Sequence, residues 1–210
     1  MGIIQSVGFT FGIGSSVLVS RLLGEKRRDE ASQSVATAFF TALVFGILLS
    51  AIGLFFLDEL VRLLGATESI APYARDYARY ILLGAPYMAA NFVLNTSLRG
   101  QGNAFYGMIG IMSGGILNMA LDPIMIFGMG LGISGAALAT IISQFVSFVI
   151  LLYFNLGKHG ALPLKVSNVR LSFRFLVSII SGGTPSLFRQ GLASIAMVIK
   201  TEFGRSSVSN

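Results

Sequence analysis

Apolar runs separated by short charged clusters make up most of this chain. A helix needs about 20 residues to cross about 30 Å of hydrocarbon. Runs of that scale without a charge lie at Met1–Ser20, Ser32–Leu57 and Tyr80–Leu98. From Arg99 to Lys158 only Asp122 interrupts the apolar pattern, dividing it into Gly100–Leu121 and Pro123–Gly157. That region has room for two helices. Gly128-Met129-Gly130-Leu131-Gly132 predicts the turn between them, because closely spaced glycines tolerate the backbone angles of a tight reversal. A shorter run, Pro185–Ile199, closes the series. The pattern predicts an all-α, polytopic transmembrane bundle of five full spans and a short sixth. Gly8 with Gly12, and Gly110 with Gly114, put small residues one turn apart, where helix backbones in lipid can approach closely.

The segments between spans carry their own signals. Ser69-Ile70-Ala71-Pro72 reads as a helix start with proline in the first turn. Tyr73, Tyr77 and Tyr80 share one face, as residues anchoring at a membrane interface do. Leu171–Ile180, next to Arg170 and Arg174, predicts a helix lying along the membrane surface, separated from the last span by Gly182-Gly183-Thr184-Pro185. The chain thus divides into five spans over 1–157, a cytoplasmic linker with an interfacial helix over 158–184, and a further span with a polar tail over 185–210.

Composition supports a membrane protein. Of 210 residues, 54% are hydrophobic and 11% charged, and the mean hydropathy is +0.78. Soluble domains carry about 25% charged residues, so a soluble enzyme and a disordered chain are both excluded. The absence of cysteine excludes disulfides and thiolate chemistry, and a single histidine, His159, excludes a His-pair metal site. The net charge of +6 would suit nucleic acid if it were clustered. Instead it follows topology. Arg21, Lys26, Arg27, Arg28, Arg99, Lys158, Lys165, Arg170 and Arg174 fall in alternate loops, against Arg62, Arg75 and Arg79 in the others. The side with nine is assigned to the cytoplasm, and nucleic acid is not an expected partner. This orientation puts Met1 on the outer side with nothing ahead of it to carry it across. It implies a preceding helix. The polar stretch from Lys200 cuts the last span short, so the chain reads as a fragment.

Asp122 is the residue most charged with consequence. A carboxylate near the centre of a membrane helix costs about 2.5–3.5 kcal/mol on insertion scales and usually faces the bundle interior. Asn118 stands one turn earlier on the same face. Pro123 lacks an N–H and pushes against the carbonyl of Met119, leaving that oxygen without its helical donor. A carboxylate, an amide oxygen and a freed carbonyl are hard ligands suited to Na⁺. A carboxylate in low dielectric equally suits a proton. The opposing reading is a residue near a helix end that reaches to the headgroups, since Gly128 lies only ~9 Å further along the axis. Thr140 sits nearly as far from the glycine turn as Asp122 does, so the two face each other if the helices form a hairpin. Gln144 is one turn beyond Thr140. Thr140 alone also fits a threonine bonded to its own helix. Asn91 and Asn95, one turn apart in a helix that contains Pro86, predict a polar face toward the interior, as glue or as a ligand path. Arg189 and Gln190 lie close enough to the start of the last span to reach its surface. No nucleotide-binding loop is present. Only one carboxylate lies within the spans, too few for aspartyl proteolysis, so no enzymatic activity is expected.

Four strings carry a resemblance: Gly14-Ser-Ser-Val-Leu-Val-Ser-Arg-Leu-Leu-Gly-Glu-Lys26, Leu98-Arg99-Gly-Gln-Gly-Asn103, Asn118-x-x-x-Asp122-Pro123 and Gly132-Ile-Ser-Gly-Ala-Ala-Leu-Ala-Thr140. In this order they resemble the multidrug and toxic compound extrusion (MATE) transporters, bacterial branch, over nearly the whole chain. The resemblance implies a fold of two six-helix lobes, of which this chain holds the second to sixth helices and the start of the seventh. It lacks the first helix and most of the carboxy-terminal lobe. It implies a multi-pass protein of the bacterial inner membrane that exports cationic drugs in exchange for Na⁺ or H⁺, without a cofactor. It further implies that Asn118, Asp122 and Thr140 bind the cation, while the family's first-helix aspartate has no counterpart here. Asn91, Asn95 and Gln144 are then candidates for the drug path. Three alternatives stand beside this reading. One is a flippase for lipid-linked sugars, which has a similar fold but usually keeps basic residues in its cavity. The others are a non-transporting bundle and an inactive truncated product.

Overall fold

The computed structural model describes residues 2–63, 70–157, 162 and 177–182. Helix α1 covers Gly2–Gly24 and α2 Arg28–Phe55, joined by a turn in which Lys26 takes a left-handed φ of 61°. Asp29 and Glu30 occupy the first turn of α2, where negative charge complements the helix dipole. The short α3, Leu57–Leu63, follows directly. Helix α4, Ala71–Gly100, starts as expected, with Pro72 in its first turn. Helix α5, Ala104–Pro123, runs on into a wider π-helical stretch, Ile124–Gly128. The chain then reverses through Gly130 (φ +66°) and Gly132 (φ +55°) into α6, Gly132–Leu156. Those angles strain any residue with a Cβ, so this glycine cluster makes the turn its spacing predicts. Among the described residues, five helices are long and apolar enough to cross a membrane.

Helix α4 is the hub. The most apolar stretch of α4 is 72% buried, compared with 11% in α5, and α4 packs against α1, α2, α5 and α6. The packing inverts the soluble pattern. The interior is rich in small residues (Ala36, Ala38, Ala42, Ala85, Ala89 and Ala90), whereas Phe45, Leu48 and Ile52 of α2 and Met108, Met112 and Ile116 of α5 stand exposed. Lipid tails solvate large apolar groups, so helices associate through surfaces that let backbones approach. The expected glycine pairs form such seams. Gly8 and Gly12 seat against Phe92 and Thr96 of α4, and Gly110 and Gly114 against Leu151 and Ser147 of α6. A Cβ on Gly46 would come within 2.6 Å of the Pro86 Cα, so backbone meets backbone at the α2–α4 crossing.

The helix ends sort as the basic residues predict. Ser20 Oγ donates to the Gly100 carbonyl (3.0 Å), which brings the Arg21–Arg28 turn beside Arg99. Arg75 pairs with Asp58 (2.6 Å) in the next loop along the chain. In the first turn Glu25 accepts from Arg21 (3.0 Å) and Arg27 (3.1 Å), and these guanidinium bonds hold its carboxyl below the usual carboxylate range. Of the expected linker, residues 177–182 are helical. Ile179 is buried in the main core, and Gly182 lies against Gly14. Leu162 packs with Val19, Leu22, Ala31 and Val35. Lys158, His159, Lys165, Arg170, Arg174, the Pro185–Ile199 span with Arg189 and Gln190, and the polar tail lie outside the described residues.

Candidate functional site

Ile111, Gly115, Asn118 and Asp122 recur at the spacing of a single helix face on α5. Asn118 Nδ2 donates to Asp122 Oδ1 at 3.4 Å, and both side chains are half-buried. Among the described residues no basic side chain pairs with Asp122. Beyond Pro123 the α-helical ladder gives way, and the Met129 N–H reaches the Ile124 carbonyl five residues back (2.9 Å). A proline in a helix frees the carbonyl four residues earlier, here that of Met119. The π-helical stretch presses on α6 at Gly135, where a Cβ would stand 2.7 Å from the Met125 carbonyl oxygen.

The glycine contacts fix the hairpin register. Gly114 meets Ser143 and Ser147, while Gly135 meets Met125 and Ile126. Reading between these points sets Thr140 level with the turn of α5 that runs from Asn118 to Asp122. Its hydroxyl donates to the Ala136 carbonyl within α6 (2.9 Å), which leaves the oxygen lone pairs free to accept or ligate. The bond drawn within the pair is therefore Asn118 to Asp122. Thr140 is brought to the same level with its proton already committed.

The second group of expected residues forms a hydrogen-bonded cluster between α4, α5 and α6. Asn91 Nδ2 donates to Gln144 Oε1 (2.8 Å) and approaches Ser147 Oγ (3.3 Å). Ser147 Oγ donates to the Gly110 carbonyl (2.8 Å), and Asn95 Nδ2 to the Gly107 carbonyl (2.7 Å). A cavity of about 100 Å³ opens here, lined in part by Asn91, Asn95, Gly115, Gln144 and Ser147. Gly115 is one of its walls, and Asp122 lies seven residues further along the same face, ~10 Å away along the axis.

Three polar residues of this interior were not anticipated. Ser147 is the hub of the cluster, Tyr87 donates its hydroxyl to the Ile141 carbonyl (3.0 Å), and Asn155 is almost fully buried. A signal for two of them was present. Thr140, Gln144 and Ser147 follow the three- and four-residue spacing of one stripe on α6, and Asn155 lies on the same stripe two turns further, beyond Leu151. Tyr87 carries no such pattern.

A family profile described as MatE matches residues 1–124. The multidrug export protein MepA of Staphylococcus saprophyticus is 29% identical over 201 residues, covering 96% of this chain and 45% of MepA. The probable multidrug resistance protein YoeA of Bacillus subtilis is 30% identical over 216 residues, covering 97% of this chain and 46% of YoeA. An inward-facing multidrug resistance MATE family transporter of the MOP superfamily matches in structure with a TM-score of 0.87 at 32% identity, covering 94% of this chain and 45% of that one. A MOP superfamily transporter from Pyrococcus furiosus, described as having a binding pocket of reverse polarity that suggests a different function, matches with a TM-score of 0.84 at 32% identity, covering 93% and 43%. The chain thus spans less than half the length of these relatives.

Proposed function

Since this chain belongs to the MatE family, we propose that it forms the amino-terminal lobe of a multidrug exporter in the bacterial inner membrane. The exporter exchanges a cationic drug for Na⁺ or H⁺. Asp122 with Asn118 and Thr140 binds the coupling ion, and Asn91, Asn95 and Gln144 line the drug path.

One observation carries this reading: a half-buried carboxylate inside a span, held by an amide and paired with no basic residue among those described. Oxygens of Asn118 and Asp122, with that of Thr140 at the same level of the bundle, are of the kind that suits a hard cation, and the carboxylate alone suits a proton. Coupling follows from charge. A drug whose cationic group approaches the mouth of the Asn91–Gln144 cavity brings that charge to about 10 Å from Asp122. At an effective dielectric of about 20 that attraction is about 1.5 kcal/mol, roughly tenfold in affinity. Na⁺ or a proton on Asp122 cancels it. Ion and drug therefore oppose one another at a single negative charge, and each biases the lobe only through its differential affinity for the inward- and outward-open states. The lobe interior offers no basic group for an anionic headgroup among the described residues, which favours cationic cargo.

The test is Asp122→Asn in the complete transporter, read as ethidium export from cells. Export falls to the level of cells without the transporter while expression holds. Undiminished export would remove Asp122 from the coupling role.

A further inference from the structure

The cavity between α4, α5 and α6 has more polar capacity than its protein partners use. Gln144 Nε2 and Asn95 Oδ1, from residues that line it, have no protein partner among the described residues. A cavity of about 100 Å³ is large enough to admit water, and the amide and hydroxyl groups set among its mainly apolar walls give that water partners. Toward the end that the basic residues assign to the cytoplasm, Ser147, Leu151 and Asn155 follow one another at every fourth position of α6. Leu151 is fully buried and seats on Gly110. Beyond it Asn155, 1% exposed, donates to the Leu151 and Leu94 carbonyls (2.8 and 3.3 Å), but its Oδ1 has no partner among the described residues. A buried amide oxygen is seldom left unpaired unless water reaches it. One apolar side chain thus separates two places that call for water.

We propose that the cavity is a water-filled stretch of a path leading from Asp122 toward the cytoplasmic end, and that Leu151 is the plug that closes it. The hydration and the plug stand on the cavity and on Asn155. Only the identity of the travelling ion rests on the reading of Asp122 given above.

The chain has no cysteine, so single thiols report on their own surroundings once any cysteines elsewhere in the complete transporter are replaced. A Ser147→Cys thiol in the wet cavity ionises and reacts with 2-aminoethyl methanethiosulfonate at least about tenfold faster than a Val93→Cys thiol in the dry core. Equal rates at the two positions overturn the hydration. Leu151→Ala, reconstituted in liposomes under a Na⁺ or proton gradient without drug, dissipates that gradient about tenfold faster than the parent, and adding Asp122→Asn abolishes the leak. Should Leu151→Ala fail to fold, Leu151→Val shows the same leak in weaker form. A folded variant as tight as the parent overturns the plug. A leak untouched by Asp122→Asn overturns the ion-site reading of Asp122 and leaves the plug standing.

Discussion

Gly114→Ala and Gly115→Ala change neighbouring positions on α5 and are expected to move stability apart. A Cβ on Gly114 would stand 2.8 Å from the Ser147 Cβ and 3.1 Å from the Ser143 carbonyl oxygen. Carbon atoms rest at about 3.5–4.0 Å, so α5 and α6 must separate by roughly 1 Å. Overpacking of this kind costs about 1–3 kcal/mol. A Cβ on Gly115 meets nothing within 4 Å. Both substitutions share the gain of about 1 kcal/mol that alanine has over glycine in a helix. Gly115→Ala should therefore be neutral or stabilising, and Gly114→Ala should lie about 1–3 kcal/mol below it. At about 2–4 °C per kcal/mol for a domain of this size, the two melting points separate by several degrees. The chain has neither tryptophan nor cysteine. Heating a fluorescent-protein fusion of the complete transporter in detergent, then measuring the surviving peak by size exclusion, is a suitable assay. Melting points within about 1 °C of each other would refute the close α5–α6 seam and, with it, the register that sets Thr140 level with the turn from Asn118 to Asp122.

Other outcomes follow from the same contacts. Asn91→Leu removes the donor to Gln144 Oε1 and should cost about 1–3 kcal/mol; in a cycle with Gln144→Leu the coupling should be at least about 0.5 kcal/mol, and strict additivity of melting shifts would dissolve the cluster. Lys26→Gly relieves the left-handed backbone at φ 61° and should raise the melting temperature slightly, since the strain of about 1–2 kcal/mol exceeds the extra freedom glycine gives the unfolded chain; a fall would mean the turn carries no strain. Glu25 has a folded pKa below its unfolded one, so its contribution is present above the ordinary carboxylate pKa and is lost as pH falls through the lower folded value. The melting difference between the parent and Glu25→Gln should therefore be visible at neutral pH, vanish in acid, and shrink in high salt because the turn is exposed; a difference that persists in acid would contradict it.

The spans were legible because charge-free runs and loop cations follow from the cost of placing charge in hydrocarbon. Apolar length bounded α1, α2 and α4 to within a few residues at most ends, and Gly128–Gly132 marked the α5–α6 turn. The extension of α4 back to Ala71 lay in a charged stretch, where hydropathy is silent and only Pro72 hinted at it. The π-helical run after Pro123 was not foreseen, because proline predicts a lost hydrogen bond but not how the backbone takes it up. Spacing alone placed Asn118 and Asp122 on one face, where the two side chains are hydrogen-bonded. The contact of Asn91 with Gln144 joins different helices, and no local pattern encodes that. Ser147 was overlooked because a serine within a span usually bonds to its own helix, whereas this one reaches Gly110 on α5. Asn155 was missed because it stands just ahead of the loop, at a depth where polar residues need no explanation.

Capture of a positive ion by Asp122 is what would make this lobe part of an ion-coupled exporter. Calorimetric or radiotracer titration of the complete carrier with Na⁺, alongside proton-uptake measurements, addresses this without reference to drug transport. Saturable binding of one of these ions to the parent, and its loss in Asp122→Asn, is the predicted result. Identical titrations for the two proteins would contradict it.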